Sequence, residues 1–354
     1  MPICLSHGGP TTFTGAEPAS QLLVGTVGGV FCLDRQAGSK WSVAWKALDG
    51  KHVSSVQVEP ESGIYFAGVY KGGVHVSEDK GKSWEKRTEG LSSEDIYSLT
   101  FVNAKSGTTV YCGTEPARLF RSDDLGAHWS ELSALAEAPG KGGWTFPAPP
   151  FVAHVKFIAI DPHDSDIIYA AVEVGGLLKS RDGGKSWTAQ SGFYEDVHRI
   201  VICKSDTNKV YISTGAGVYH TTDGGENWQR ITDYKMRIGY PDPLVAVPGR
   251  EHLMFVAGAR NTPGAWRKMH TADSKIARSR DGGESWELLT GGLPPLMRCN
   301  FEAVTIMSWN GAFELFAGTT DGEVYYSDDE GENWSKIMTG LPPVSKFNHY
   351  RGLR

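Results

Sequence analysis

Six copies of one eight-residue pattern, Ser/Thr-x-Asp-x-Gly-x-x-Trp, limit what this chain can fold into more than any other feature. They read SEDKGKSW (Ser77–Trp84), SDDLGAHW (Ser122–Trp129), SRDGGKSW (Ser180–Trp187), TTDGGENW (Thr221–Trp228), SRDGGESW (Ser279–Trp286) and SDDEGENW (Ser327–Trp334). Asp34, Gln36, Gly38 and Trp41 form a degenerate seventh copy, and the seven tryptophans stand 41 to 58 residues apart. A period of that size, filled with short strand-like segments, is the signature of propeller blades.

Each position of the pattern has a physical reason to sit in a turn between two strands. The Asp side chain accepts hydrogen bonds from backbone N–H groups of its own turn. The Gly takes backbone angles that a side chain resists. The Trp buries a large apolar face while its indole N–H still needs a partner. Six copies spaced around a ring cannot all be one active site, so the pattern is scaffold. It resembles the Asp-box, or bacterial neuraminidase, repeat, which implies an all-β, seven-bladed propeller of the sialidase-like superfamily. The whole chain, 1–354, then forms a single propeller, with residues 1–20 as an N-terminal extension. The runs EPARLFRSDD (Glu115–Asp124), HVKFIAIDPHDSD (His154–Asp166), DVHRIV (Asp196–Val201) and GVYHTTDGGENW (Gly217–Trp228) resemble bacterial photosystem II assembly-factor-like proteins. That resemblance covers nearly the whole chain and speaks to the fold more than to any activity.

Composition narrows the function classes. A net charge of -6 and a pI near 6.0, with lysines and arginines scattered and no basic block, argue against a nucleic-acid or anionic-membrane partner. No apolar run approaches membrane-spanning length. The first twenty residues lack the basic start and apolar stretch of a signal peptide. The five cysteines are odd in number and mostly set in apolar runs, as expected for reduced core thiols of a cytoplasmic protein.

Within each repeat the strands run inner to outer, A to D. His52, Asp95, His154, His198, Pro241 and Asn300 each open an inner strand. Residues 21–46 supply strands B, C and D without an A strand, and the C-terminal FNHYRGLR has the texture of an A strand with nothing after it. The last blade is therefore expected to be closed by N- and C-terminal segments together, which removes the open edges of the ring.

Superposing the inner strands by their apolar residues puts His52, His154, His198 and His349 in one slot, with Asp95, Pro241 (beside Asp242) and Asn300 in the others. Histidine makes up only 11 of 354 residues. Imidazoles converging on the axis suit a divalent transition metal, Fe, Cu, Mn or Zn. Glu115 and Glu173 are placed to orient them from behind, and Glu302 or Asp95 to move protons. Two insertions, 136–153 and 259–275, fall on the same mouth and bring Trp144, Phe146, Phe151 and Trp266. Together with Arg199 and Tyr350 they outline a substrate pocket. This constellation points to a mononuclear metalloenzyme acting on a small organic molecule, with oxygenase, lyase and hydrolase chemistry unseparated. A second reading makes the histidines hydrogen-bonding strand ends at a solvated channel. The propeller is then a non-enzymatic assembly or interaction module whose insertions contact a protein partner. A third, a sialidase-like glycoside hydrolase, lacks the Phe/Tyr-Arg-Ile-Pro motif and a carboxylate pair at retaining distance.

Overall fold

The computed structural model of the chain describes residues 1–37, 40–104, 107–233, 236–346 and 349. It is a seven-bladed β-propeller: seven sheets, six of four strands and one of five, succeed one another along the chain. The inner strands of blades one to six are His52–Val58, Asp95–Ala104, His154–Ile160, Val197–Ile202, Tyr240–Val247 and Phe301–Trp309. These segments are rich in Val, Ile and aromatic residues, and His52–Val58, His154–Ile160 and Phe301–Trp309 are buried along most of their length because blade packs against blade on both faces. Between blades two and three, for instance, Leu119, Val155, Ile158, Ile168 and Trp187 share one apolar cluster. Each such side chain contributes about 1.5–3 kcal/mol on full burial.

The Asp-boxes are turns with the expected chemistry. In the third, Asp182 Oδ1 accepts from Ser186 N at 2.9 Å, its Oδ2 from Ser186 Oγ at 2.6 Å, and Ser180 Oγ accepts from Gly184 N at 2.8 Å. Gly184 takes φ +89°, a conformation that favours glycine. The tryptophans divide on the indole. Trp84 and Trp228 donate to carbonyls of their own box and Trp129 and Trp286 to the preceding blade, whereas Trp187 and Trp334 are buried without an indole acceptor among the described residues.

The seventh blade takes strands B, C and D from residues 21–47, as expected, but its inner strand comes from the N-terminal side as well. The inner strand of the seventh blade is Ile3–Leu5, paired in parallel with Gln21–Thr26. The C-terminal run FNHYRGLR, read from the sequence as that strand, lies outside the described residues except for His349. Residues 341–346 instead lie along the seam between blades six and seven, where Val27 N donates to Pro343 O and Val344 N to Thr319 O.

Residues 1–20 are not an appendage. After Leu5 the chain turns through Ser6–Gly9 and returns as Thr12–Thr14, a fifth strand added in parallel inside Phe301–Trp309. The turn sits on the axis. Gly8 N donates to Ser54 O, Leu99 N to Gly8 O and Val56 N to Ser6 Oγ, while the Arg199 guanidinium donates to the carbonyls of His7 and Gly9. A Cβ on Gly8 would lie 1.9 Å from Tyr97 O, so this approach needs glycine. The propeller's bore is thus filled by its own N-terminal loop. All five cysteines are free and buried. Among the described residues no helix is long and apolar enough to cross a membrane.

Candidate functional site

The mouth of the propeller is organised by a device that repeats in every blade from one to six. Each inner strand carries one extra residue near its start, marked by a register shift between Val53 and Ser55, Ile96 and Ser98, Val155 and Phe157, Val197 and Arg199, Pro241 and Leu244, and Phe301 and Ala303. A β-bulge re-aims a side chain and bends its strand. Six residues, Ser54, Tyr97, Lys156, His198, Asp242 and Glu302, occupy this position in turn, and all are buried.

This register corrects the alignment drawn from apolar spacing. His52 and His154 stand two residues before the bulge, as do Asp95, Asp196, Tyr240 and Asn300, whereas His198 is the bulged residue itself. The four histidines do not meet at one point; each has its own partner. His52 Nε2 is 2.9 Å from Ser345 O, and His154 Nε2 is 3.1 Å from Glu173 Oε2. His198 Nδ1 is 2.7 Å from Pro241 O, and His349 Nδ1 is 2.8 Å from Glu302 Oε1.

What converges on the axis is an ion network (Lys156, Lys346, Glu173 and Asp242). Lys156 Nζ lies 2.9 Å from Asp242 Oδ1 and 3.6 Å from Glu173 Oε2. Lys346 Nζ lies 2.8 Å from Glu173 Oε1 and 3.0 Å from Asp242 Oδ2, and its backbone N–H donates to Glu302 Oε2 at 3.2 Å. Burial opposes ionisation of Glu173 and Asp242, but the two ammonium groups outweigh it and hold both well below the usual carboxylate range. Burial likewise opposes a charged Lys346, yet the Asp242 and Glu173 carboxylates keep its ammonium well above the ordinary lysine value.

Two clusters have donor spacing within reach of a cation. The ligand atoms of Glu173, Asp196 and His198 lie within 4.8 Å of one another, as do those of Asp242, Glu302 and His349. Lys346 already serves a carboxylate of each cluster, so both are charge-compensated from within the chain.

The other expected site residues take structural places. Glu115 accepts from Tyr70 and Tyr97 at 3.1 and 3.3 Å and lies 3.6 Å from His154 Nδ1. Asp95 is half-buried, and burial, then the neighbouring Glu115 carboxylate, raises its pKa. Phe146 and Trp266 are buried lids rather than pocket walls, with ring centroids 5.0 Å from His154 and 5.3 Å from His349. Trp144 is partly buried beside the same turn, its ring against Gly175. Arg199 is buried under the N-terminal loop. Tyr350 lies outside the described residues. Lys156, Asp196, Asp242 and Lys346 were missed, although a lysine inside the apolar run HVKFIAI and an aspartate between two prolines are visible anomalies.

Above this network the rim carries exposed apolar side chains among charged ones such as Lys141, Glu195, Arg267 and Lys268. Among the described residues six large hydrophobic side chains are exposed, and four of them sit in D-to-A or B-to-C connections of the mouth face: Phe151 at 60%, Tyr194 at 48%, Met269 at 52% and Leu296 at 62%.

Comparison with known proteins bears on this site. A family model described as Sortilin, neurotensin receptor 3 matches residues 175–313, and the BNR/Asp-box repeat model matches 325–336. The photosystem II assembly lipoprotein Ycf48 of Synechococcus sp. (strain CC9902) is 24% identical over 302 residues, 75% of this chain and 84% of that protein. The GH74 xyloglucanase of Xanthomonas campestris superposes with a TM-score of 0.68 at 20% identity, over 95% of this chain. The chain spans only 55% of that enzyme's length. A YCF48 structure with a bound D1 peptide superposes with a TM-score of 0.60 at 14% identity, over 91% of this chain and 93% of that one. These relatives, an assembly factor and a glycoside hydrolase, overturn the reading of a metal-dependent enzyme acting on a small molecule at a His-ligated ion. The geometry agrees: the four histidines engage four separate partners, and His198 sits at a bulge while His52 and His154 do not.

Proposed function

We propose that this chain, a BNR/Asp-box propeller close to the photosystem II assembly factors, is a non-catalytic docking module that seats a protein segment on its mouth face. One observation carries the reading: the exposed large apolar side chains concentrate on one face, at Phe151, Tyr194, Met269 and Leu296. Scattered surface hydrophobics are ordinary, but several on one rim mark an interaction site. Similarity to an assembly lipoprotein, and to a YCF48 fold with bound D1 peptide, supports a protein segment as the occupant. A glycoside hydrolase reading has less behind it, because Glu173, Asp242 and Glu302 are buried and already engaged by Lys346, not turned toward a sugar.

Site-specific photocrosslinking in the native host tests the proposal. A crosslinker at position 151 or 296 is expected to trap a discrete partner, and one at Glu284, on the Asp-box face, is not. Equal trapping from both faces, or none from the mouth, would sink the docking reading.

A further inference from the structure

We propose that Glu173 and Asp242, with the ring of Tyr240, form a receptor for a primary ammonium group, filled by the chain's own Lys346 and open to a lysine of a docked partner when residues 341–346 withdraw. The inference rests on the docking reading and specifies what the partner brings.

Three observations support it. The first is a charge imbalance among the blades. At the mouth they contribute four carboxylates, Glu173, Asp196, Asp242 and Glu302, against two buried blade cations, Lys156 and Arg199. Buried carboxylates need a compensating cation, so the blades alone leave the socket incomplete. The second is the origin of the missing cation. Lys346 belongs to no blade; residues 341–346 form no strand and are held along the seam by backbone hydrogen bonds to Gly322, Thr319 and Val27. The third is the shape of the seat. Lys346 Nζ is 2.8 and 3.0 Å from two carboxylates on different blades and 5.7 Å from the Tyr240 ring centroid. Carboxylates beside an aromatic ring are the elements of ammonium recognition. Acceptors from separate directions suit the compact, rotatable lysine head better than a planar guanidinium.

The resident segment also shows what a competitor has to resemble. Val344, two residues before Lys346, is fully buried in the apolar cluster of the seam, and its N–H pairs with Thr319 O. A partner that replaces it offers an extended strand with an aliphatic residue two positions ahead of a lysine. Tyr194, Met269 and Leu296 stand on the surrounding loops as its apolar contacts.

Two arms test the proposal on the full chain. Lys346→Ala removes three methylenes and the ammonium, which n-propylammonium replaces. Its melting temperature is expected to fall and then to rise saturably with n-propylammonium, with propanol inert and tetramethylammonium roughly tenfold weaker. In the unmodified chain, excess acetyl-Pro-Val-Ser-Lys amide is expected to speed hydrogen exchange of residues 341–346 severalfold, while the same peptide with norleucine leaves it unchanged. Failure of the amine to restore Lys346→Ala overturns the receptor. Failure of the lysine peptide to release the tail overturns exchange with a partner, and this arm decides alone if Lys346→Ala does not fold. Neither arm requires the partner, so a negative crosslinking result at 151 and 296 removes the docking reading and leaves the ammonium receptor to be judged separately.

Discussion

Lys156 and Asp242, bulged residues of blades three and five, meet across the propeller axis with Nζ and Oδ1 2.9 Å apart and both side chains 1% exposed. The pair ties non-adjacent blades together directly, so the ring is held at its centre as well as through neighbouring faces. Asp242 serves Lys346 too, whereas Lys156 has Glu173 as a weaker second partner at 3.6 Å. Asp242→Asn therefore takes one carboxylate from two buried ammonium groups, leaving both to Glu173, and is expected to cost about 3–5 kcal/mol. Lys156→Met leaves Asp242 still paired with Lys346 and is expected to cost less. Denaturant unfolding of both variants gives the order; a larger loss for Lys156→Met would contradict this account of the network.

The N-terminal loop makes a steric prediction. Gly8 has no room for a methyl group, since a Cβ there lies 1.9 Å from Tyr97 O and 3.1 Å from Ser54 O, both backbone atoms. Gly8→Ala is expected to lose at least about 1–3 kcal/mol by forcing the loop off its seat. Gly142→Ala, with nothing within 4 Å of its Cβ, is the matched control and is expected to be near neutral. Thermal unfolding of the two distinguishes a seated loop from a loose one.

His7, at the tip of that loop, sets a pH dependence. Burial first, then the charges of His52, Lys156 and Arg199, holds its imidazole well below the ordinary value of 6.5, and neither ring nitrogen has a hydrogen-bond partner among the described residues. The nearby Asp242 carboxylate opposes this shift without overcoming it. The folded chain keeps His7 neutral while the unfolded chain takes up a proton near pH 6.5. Its contribution is thus fully present above that pH and is lost as pH falls below it, with a slope of up to about 1.4 kcal/mol per pH unit. His7→Leu is expected to flatten the stability profile between pH 7 and 5. An unchanged slope would place the titration elsewhere.

The rim residues separate binding from folding. Phe151 and Leu296 are 60% and 62% exposed, so Phe151→Ser with Leu296→Ser is expected to shift stability by no more than about 0.5 kcal/mol. Partner trapping at the mouth is expected to disappear in the same protein. A folded double variant that still traps the partner would move the contact surface off these residues.

The acid limit of the scaffold lies in its turns. Hydrogen bonds from Ser186 and Ser180 hold the Asp182 carboxyl at about 2, and burial is outweighed by the bonds of Ser285 and Ser279 at Asp281, which is also held at about 2. Carboxylates with depressed values stabilise the fold above their unfolded pKa, near 4, and lose that contribution as pH falls toward 2. Unfolding on acidification is expected to begin in that window, and Asp182→Asn is expected to begin from a lower melting temperature and lose less between pH 4 and 2.

The sequence by itself determined the architecture and not the site. Recurring boxes at 41 to 58 residues state the blade count because each box is a local object: its Asp, Gly and Trp act within eight residues, and local hydrogen bonding is readable from order alone. Strand placement followed from apolar periodicity for the same reason, with His52, Asp95 and His154 each opening an inner strand. The axis was different. A single bulged residue reverses which side chains face inward, so apolar spacing aligned His198 with His154 when its structural counterpart is Lys156. Ile3–Leu5 and Lys346 were still less accessible, since they bind blades 301 and 173 residues away along the chain, through Cys4 O accepting from Thr305 and Lys346 meeting Glu173. Contacts of that range leave no period in the chain. Only the closed ring, which brings the N-terminal loop and Lys346 to one axis and asks every buried charge for a partner, decided them.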